Sequence, residues 1–223
     1  MTDRPILQTA ADVRAALAGR KTQARAVLKP QPGGIEQRPL GFVGSPARFV
    51  FTEVHPGGAN WTHYAKIPYT PGDRLWVREA WRVEHRFNTH SPIPHDSAVQ
   101  YPADDPLSVW DSRLRPSTQL PRWSSRLTYI VTDVRVQRLQ EISEADAIAE
   151  GIVPVTRRFP PLQGCLNQLR ERTMYEWSGG WSVRAADAYA ALWNSLHGPG
   201  AWDANPWVAA ITFDVVARNI DAT

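Results

Sequence analysis

The stretch "LAGRKTQARAVLKPQP" (residues 17–32) contains the signals that decide the first part of the fold. Apolar residues at helical spacing lead into it and Gly19 stands where a helix would stop, so the sequence predicts a helix over 10–19. The segment "QARAVLK" (23–29) predicts a strand that the following prolines end. The basic residues between helix and strand have two interpretations: a solvated charge run, or a lysine at the mouth of a pocket for phosphate or a base.

Four segments carry the pattern of core strands. β-Branched and aromatic residues, bounded by turns, predict these strands within 23–29, 74–83, 126–138 and 207–216. Two helices are predicted over 143–152, with Ser143 as N-cap, and 184–198. The apolar stripe of the second helix is expected to be Ala188, Ala191, Leu192 and Leu196. Because strands outnumber helices and no βαβ alternation occurs, we predict an α+β fold, a small β-barrel with short flanking helices.

Segments rich in proline or glycine interrupt this pattern. We interpret residues of about 33–67, 85–120 and 153–181 as long loop insertions, the first with a hairpin around 48–54 and the other two irregular. The whole chain, residues 1–223, is predicted to form a single domain around them.

Basic residues are concentrated near the start of the chain. Residues 1–48 hold eight Lys/Arg against three Asp/Glu, 8 − 3 = +5, whereas the whole chain carries +3. This excess suits a polyanion or a phosphorylated ligand, or serves solubility alone.

Composition argues against a disulfide, a metal site and a membrane span. Cys165 is the single cysteine, which excludes an intramolecular disulfide and a cysteine-based zinc site. His90 and His95, near Asp96, could contact a metal, but we favour a solvated loop, and no metal or cofactor is expected. No signal peptide and no apolar run near the length of a membrane span occurs, so we expect a cytoplasmic protein, monomeric and without a membrane partner.

Four motifs, in order, resemble those of the ASCH domain family of the PUA-like superfamily, and most closely its larger phage and prophage form. They are "GRKTQ" (19–23) with "KPQP" (29–32), "GDRLWVREAW" (72–81), "PRWSSR" (121–126) and "WDANPWVAAITF" (202–213). The resemblance covers about half the chain, roughly 4–32, 69–84, 121–152 and 186–217. It implies a PUA-like barrel, a role in RNA metabolism and, from the small bacterial members, hydrolysis of N4-acetylcytidine to cytidine and acetate.

The resemblance also implies a site. In the small enzymes a lysine, a threonine three residues later and a glutamate after the long strand form it; the lysine corresponds to Lys21 and the glutamate to Glu150. Such a lysine can polarise a carbonyl oxygen while the carboxylate manages a proton or a water. The threonine position is Ala24, and the family's arginine falls at Ala26, with Arg25 beside it.

Ala24 changes the chemistry that this site could perform. Without a hydroxyl there, hydrolysis would need a water activated by Glu150, unless Thr22 or Ser124 substitutes for the threonine.

Two further motifs supply candidate walls for the pocket. Arg122 and Arg126 can bind phosphate, and Trp123 can stack on a base; otherwise "PRWSSR" is an ordinary strand start with its tryptophan in the core. Arg78 and Glu79 form either a pocket pair or a plain cross-strand ion pair.

We therefore predict a pocket for a nucleoside or a short single-stranded RNA, lined by Lys21, Thr22, Arg122, Trp123 and Glu150. The further candidates for substrate contacts are Arg25, Arg78, Glu79, Ser124 and Arg126. Three activities stay open: amide hydrolysis of N4-acylated cytidine, RNA cleavage with Lys21 and the arginines stabilising the phosphorane, and non-catalytic reading of modified bases. The alanines at 24 and 26 favour the last.

Overall fold

The computed structural model describes residues 2–31, 36–43, 48–54, 60–83, 99–104, 113–159 and 170–222. Its strands are β1 (Asp3–Leu7), β2 (Gln23–Val27), β3 (Glu36–Val43), β4 (Arg48–Val54), β5 (Asn60–Lys66), β6 (Arg74–Arg78), β7 (Arg82–Val83), β8 (Val99–Gln100), β9 (Thr128–Arg138), β10 (Val153–Phe159), β11 (Arg170–Trp177), β12 (Gly180–Ser182) and β13 (Trp207–Val216). Its helices are α1 (Ala10–Leu17), α2 (Glu144–Ala149) and α3 (Ala185–His197). The class is α+β with strands predominating, as the sequence predicts.

Two compact units divide these elements. Unit 1 comprises Met1–Thr22, Tyr69–Val134 and Ile211–Thr223, and unit 2 comprises Gln23–Pro68 and Arg135–Ala210. The main sheet has the strand order β1-β6-β9-β13-β2, in which β9 and β13 contribute residues to both units.

The main sheet is open, which differs from the predicted barrel. Its edge strands are β1 and β2, and the sheet does not close into a barrel within the described residues. The predicted strand over 74–83 also ends early, because β6 stops at Arg78 and β7 pairs instead with β8. Sequence patterns locate strands but leave their pairing open, since pairing depends on contacts between distant segments.

The core of unit 1 lies on one face of β6 and β9. Alternation buries Leu75 and Val77 on β6, and Tyr129 and Val131 on β9. The ring of Tyr129 stacks on that of Phe213, with centroids 4.1 Å apart and planes 5° apart. β1 runs parallel to β6, while β9 pairs with β6 antiparallel.

Local end signals place α1 and α2 where they are predicted. Thr9 and Asp12 form a capping box at the start of α1, and Gly19, with φ +68°, follows its end. The Ser143 hydroxyl accepts a hydrogen bond from the Asp146 amide at the start of α2, and Gly151, with φ +106°, follows Glu150.

Helix α3 buries Ala188 of the predicted stripe and packs Leu192 against the core, but its largest buried side chains differ from the predicted ones. Its buried residues are Ala185, Ala188, Tyr189 and Trp193, whereas Leu196, predicted to belong to the apolar stripe, is exposed. The helix carries alanines on several faces, so periodicity alone does not decide the buried one. The two large aromatic side chains bury more area and determine the packing.

Two further sheets lie in segments interpreted as insertions. The order β3-β4-β5 includes the predicted hairpin strand at 48–54, and the order β10-β11-β12 lies where an irregular segment was predicted. That second prediction is wrong: β10 and β11 pair over seven residues each. Val153, Val155 and Phe159 alternate along β10, but the exposed Arg157 interrupts this apolar series, which weakens the signal of a strand.

Several residues named in the sequence analysis lie outside the part of the chain that the structure describes. Of residues 85–120, the structure describes 99–104 and 113–120; His90, His95, Asp96 and Cys165 lie outside the described residues. No described helix combines the length and apolar character needed to cross a membrane.

Candidate functional site

Buried charges mark several places in the described part of the chain. Lys21 is 5% exposed, Glu79 2% and Glu150 4%, and the side chain of Arg25 is fully buried. Charged side chains are almost never buried without partners, and buried ionisable groups concentrate at functional sites. The partners of each therefore indicate what it can do.

The first place, in unit 2, is centred on Arg25. Its Nη1 donates to Oε1 of Glu150 at 2.8 Å, and its Nη2 lies 3.6 Å from Oδ2 of Asp146. The guanidinium stands over the ring of Tyr189, 5.7 Å from the centroid. Its Nε and Nη2 have no hydrogen-bond partner among the described residues. We call Gln23, Arg25, Asp146, Glu150 and Tyr189 the Arg25 cluster.

Helix α2 presents both carboxylates of the Arg25 cluster. Asp146 lies in its first turn and Glu150 is its C-cap residue; the two are four residues apart and therefore lie on one face. Asp146 accepts hydrogen bonds from Gln23 and Arg135, each at 2.9 Å. Burial alone would raise the pKa of Asp146, but hydrogen bonds from Gln23, Arg135 and Ser143 lower it to about 2. Asp146 therefore stays ionised at neutral pH beside the arginine.

The alternation of β2 decides which of its side chains join the Arg25 cluster. Gln23 and Arg25 are two residues apart, lie on the same face and both contact α2. Ala24 and Ala26, which occupy the family's threonine and arginine positions, alternate onto the other face. The arginine that meets Glu150 is thus Arg25, a residue that the sequence analysis named only as a possible substrate contact.

Lys21 lies in unit 1 and is held by the end of α1. Its Nζ is 3.1 Å from Oδ1 of Asp12, and its backbone amide donates to the Ala15 carbonyl at 3.1 Å. Burial would raise the pKa of Asp12, but the charge of Lys21 and hydrogen bonds from Thr9 lower it. Thr22 takes part through its backbone carbonyl, which accepts from the Phe213 amide at 2.9 Å. The predicted pairing of Lys21 with Glu150 in one pocket stays a prediction.

Glu79, a buried carboxylate of unit 1, pairs with Arg126 and not with its neighbour Arg78. Arg126 donates to both oxygens of Glu79, at 2.8 and 3.1 Å, and also to Asp104. Burial raises the pKa of Glu79 although Arg126 opposes the shift. Since two carboxylates already neutralise Arg126, the structure favours an ion-pair network over a phosphate site here.

Arg122 is likewise engaged. Its Nη2 is 2.6 Å from both Asp3 and Asp221. The amide of Asn219 donates to the carbonyls of Arg122, Trp123 and Ser125, which fixes this turn. Trp123 is half-buried and does not belong to the core.

The other predicted contacts near this turn have local roles. Arg78 donates to the Thr118 carbonyl and stands over the ring of Trp76 at 5.1 Å. The carbonyl of Ser124 accepts from the Tyr101 hydroxyl, and burial raises the pKa of Tyr101 to about 12, with a further contribution from the charge of Glu79.

Tyr129 carries a buried hydroxyl that the sequence analysis did not single out. The residue is 0% exposed, and its hydroxyl has no hydrogen-bond partner in the part of the chain that the structure describes. Burial raises its pKa, as do the charges of Asp12 and Glu79. The sequence pattern marks Tyr129 only as a core residue of a strand and does not indicate an unbonded hydroxyl.

Tyr129→Phe is expected to leave the free energy of unfolding unchanged or to raise it by up to about 1 kcal/mol, since no hydrogen bond is lost. The matched control is Tyr101→Phe, which removes a hydroxyl that donates to a carbonyl and should lose about 1 kcal/mol. Urea unfolding of both variants tests this. A loss above about 1.5 kcal/mol for Tyr129→Phe would contradict an unbonded hydroxyl.

Comparison of the chain with protein-family models, with curated proteins and with solved structures finds no match. Among the described residues, no group of three or more His, Cys, Asp or Glu side chains is placed to hold a metal ion.

Proposed function

We propose that this chain is an ASCH-type, PUA-like domain that binds a nucleoside or a short single-stranded RNA through the Arg25 cluster. The observation that carries the proposal is the fully buried guanidinium of Arg25, whose Nε and Nη2 lack hydrogen-bond partners among the described residues. Buried donors without acceptors cost about 1–3 kcal/mol each, and a ligand that supplies acceptors removes that cost.

The chemistry of the cluster suits the polar edge of cytosine. That edge presents a carbonyl oxygen and a ring nitrogen as acceptors, next to an exocyclic N–H donor. Arg25 can donate to the two acceptors, while the Glu150 carboxylate can accept from the exocyclic group. Uracil has a carbonyl in place of the exocyclic amine, so a site of this kind should bind uridine less tightly.

Hydrolysis of N4-acetylcytidine is the second candidate, favoured by the buried carboxylate of Glu150. A water attacks the acetyl carbonyl carbon, the bond from that carbon to N4 breaks, and acetate and cytidine leave. Glu150 would take a proton from the water and return it to N4. Ala24 supplies no nucleophile, so no acyl-enzyme forms at that position.

The test is calorimetric titration of the wild-type protein with cytidine, N4-acetylcytidine and uridine. We expect cytidine or its acetyl derivative to bind at least about tenfold more tightly than uridine. Arg25→Met/Glu150→Leu should lose at least about tenfold in affinity, since two charge-assisted hydrogen bonds disappear. Arg135→Gln is the matched control, because Arg135 also bonds Asp146 but is exposed.

The outcomes separate the two candidates. Chromatography of the reaction mixture shows whether cytidine is released. Binding of N4-acetylcytidine without release of cytidine supports a binding domain and excludes the hydrolase. A folded double variant that binds as tightly as the wild type would contradict the Arg25 cluster as the site. So would a wild-type protein that binds none of the three nucleosides.

A further inference from the structure

The paired strands β10 and β11 form a ribbon with two unlike faces. In their register Arg157 lies directly opposite Arg172, and Phe159 opposite Arg170. These positions are two residues apart along each strand and therefore share one face. Arg158 lies opposite Glu171 in the same register, on the other face.

The cross-strand pairs on the two faces differ in charge: one face pairs unlike charges and the other pairs like charges. Arg158 and Glu171 form an ordinary cross-strand ion pair at 2.8 Å. Arg157 faces another arginine, and like charges directly opposite one another destabilise a strand pair. Glu176 bonds Arg157, yet the ribbon as a whole holds four arginines against two glutamates, 4 − 2 = +2.

Both opposed arginines are accessible. The side chain of Arg157 is 45% exposed, and Arg172 is also exposed. An exposed ion pair such as Arg157 with Glu176 contributes little stability, so it does not prevent Arg157 from binding another anion. An anion that contacts both arginines would remove their repulsion.

We infer that this face of the ribbon, Arg157, Phe159 and Arg172, binds the sugar-phosphate backbone of single-stranded RNA. The guanidinium fork matches phosphate oxygens, and the half-buried Phe159 beside it offers an aromatic surface on which a base can stack. The inference rests on the proposed function for the identity of the polyanion. It adds a second contact region whose residues are separate from the Arg25 cluster.

The experiment measures fluorescence anisotropy of a labelled oligouridine across a series of salt concentrations. Arg157→Gln/Arg172→Gln should lower the magnitude of the log-log salt slope by about 1.4, because each phosphate contact on a single strand contributes about 0.7. The same relation gives a loss of affinity of about 25-fold at about 0.1 M salt. Arg158→Gln/Arg184→Gln removes the same net charge from other exposed positions of unit 2 and should change neither quantity appreciably.

Three results would overturn the inference: an unchanged slope in the ribbon variant, an equal loss in the charge-matched control, or competition by polyglutamate as strong as by RNA. Urea unfolding confirms that both variants fold, since exposed substitutions usually change stability by no more than about 0.5 kcal/mol.

Nucleoside titration of the ribbon variant keeps the two proposals distinguishable. Unchanged nucleoside binding together with lost oligouridine binding supports the ribbon as a separate contact region. Oligouridine binding through the ribbon in a protein that binds no nucleoside supports the ribbon and contradicts the proposed function of the Arg25 cluster.

Discussion

Glu150→Leu is expected to lower the free energy of unfolding by about 3–5 kcal/mol, measured by urea unfolding. The change removes the carboxylate that accepts from Arg25 at 2.8 Å and leaves a fully buried guanidinium. The carboxylate of Asp146, 3.6 Å from Nη2 of Arg25, still neutralises part of the arginine's charge in the variant. The expected loss of stability therefore lies near the lower end of that range.

Arg25→Met/Glu150→Leu should recover most of that loss. Replacing both members of a buried ion pair by apolar side chains of similar size is often neutral or stabilising, whereas removal of one member is not. The exposed pair of Arg184 and Glu144 is the control, and Arg184→Gln/Glu144→Gln should change stability by less than about 1 kcal/mol. A double variant as unstable as Glu150→Leu would show that the pair does not account for the loss.

Asp146→Asn is expected to destabilise the protein by about 2 kcal/mol at neutral pH, in a pH-dependent way. The pKa of Asp146 is lowered from 3.8 to about 2 in the folded protein, mainly by hydrogen bonds from Gln23 and Arg135 that overcome the effect of burial. Because the folded pKa lies below the unfolded one, the stabilisation is complete above about pH 4 and is lost as the pH falls towards 2.

Unfolding measured from pH 7 to pH 2 tests this sign. The difference between wild type and Asp146→Asn should shrink steadily below about pH 4 and be mostly lost at about pH 2. Asp221→Asn, at an exposed carboxylate, should cost no more than about 1 kcal/mol. A wild-type advantage that persists unchanged at pH 2 would contradict the charge of Asp146 as its source.

Local chemistry made parts of this fold predictable from sequence. Ser143 and Gly19 act within a single turn of the chain, so their roles follow from neighbours that the sequence displays directly. The long strand pattern of β9 is likewise a property of one segment. The β10-β11 ribbon gave a weaker signal, because the exposed Arg157 interrupts the alternation of Val153, Val155 and Phe159.

The partners of the arginines were not predictable in the same way. Arg25 meets Glu150 across 125 positions of sequence, and Arg122 meets Asp221 across 99. The guanidinium of an arginine can donate the same hydrogen bonds to a phosphate and to a carboxylate. Residue type alone therefore does not predict which of the two an arginine will bind. The fold decides, by bringing carboxylates to all three arginines, Arg25, Arg122 and Arg126, and by burying Arg25.

The three-part composition of unit 1 has a consequence for synthesis of the chain. Its first part ends at Thr22 and its last part begins at Ile211. A nascent chain that stops before the end of β13 therefore lacks one of the strands of unit 1. At ribosomal rates of about 5–20 residues per second, β1 and α1 wait roughly 10–40 s for the end of β13. From the synthesis of Tyr129 until that of Phe213, the ring of Tyr129 lacks the ring on which it stacks in the folded protein. Among the described strands, β13 is made after all the others, and it completes a unit that also contains β1, the one made before them.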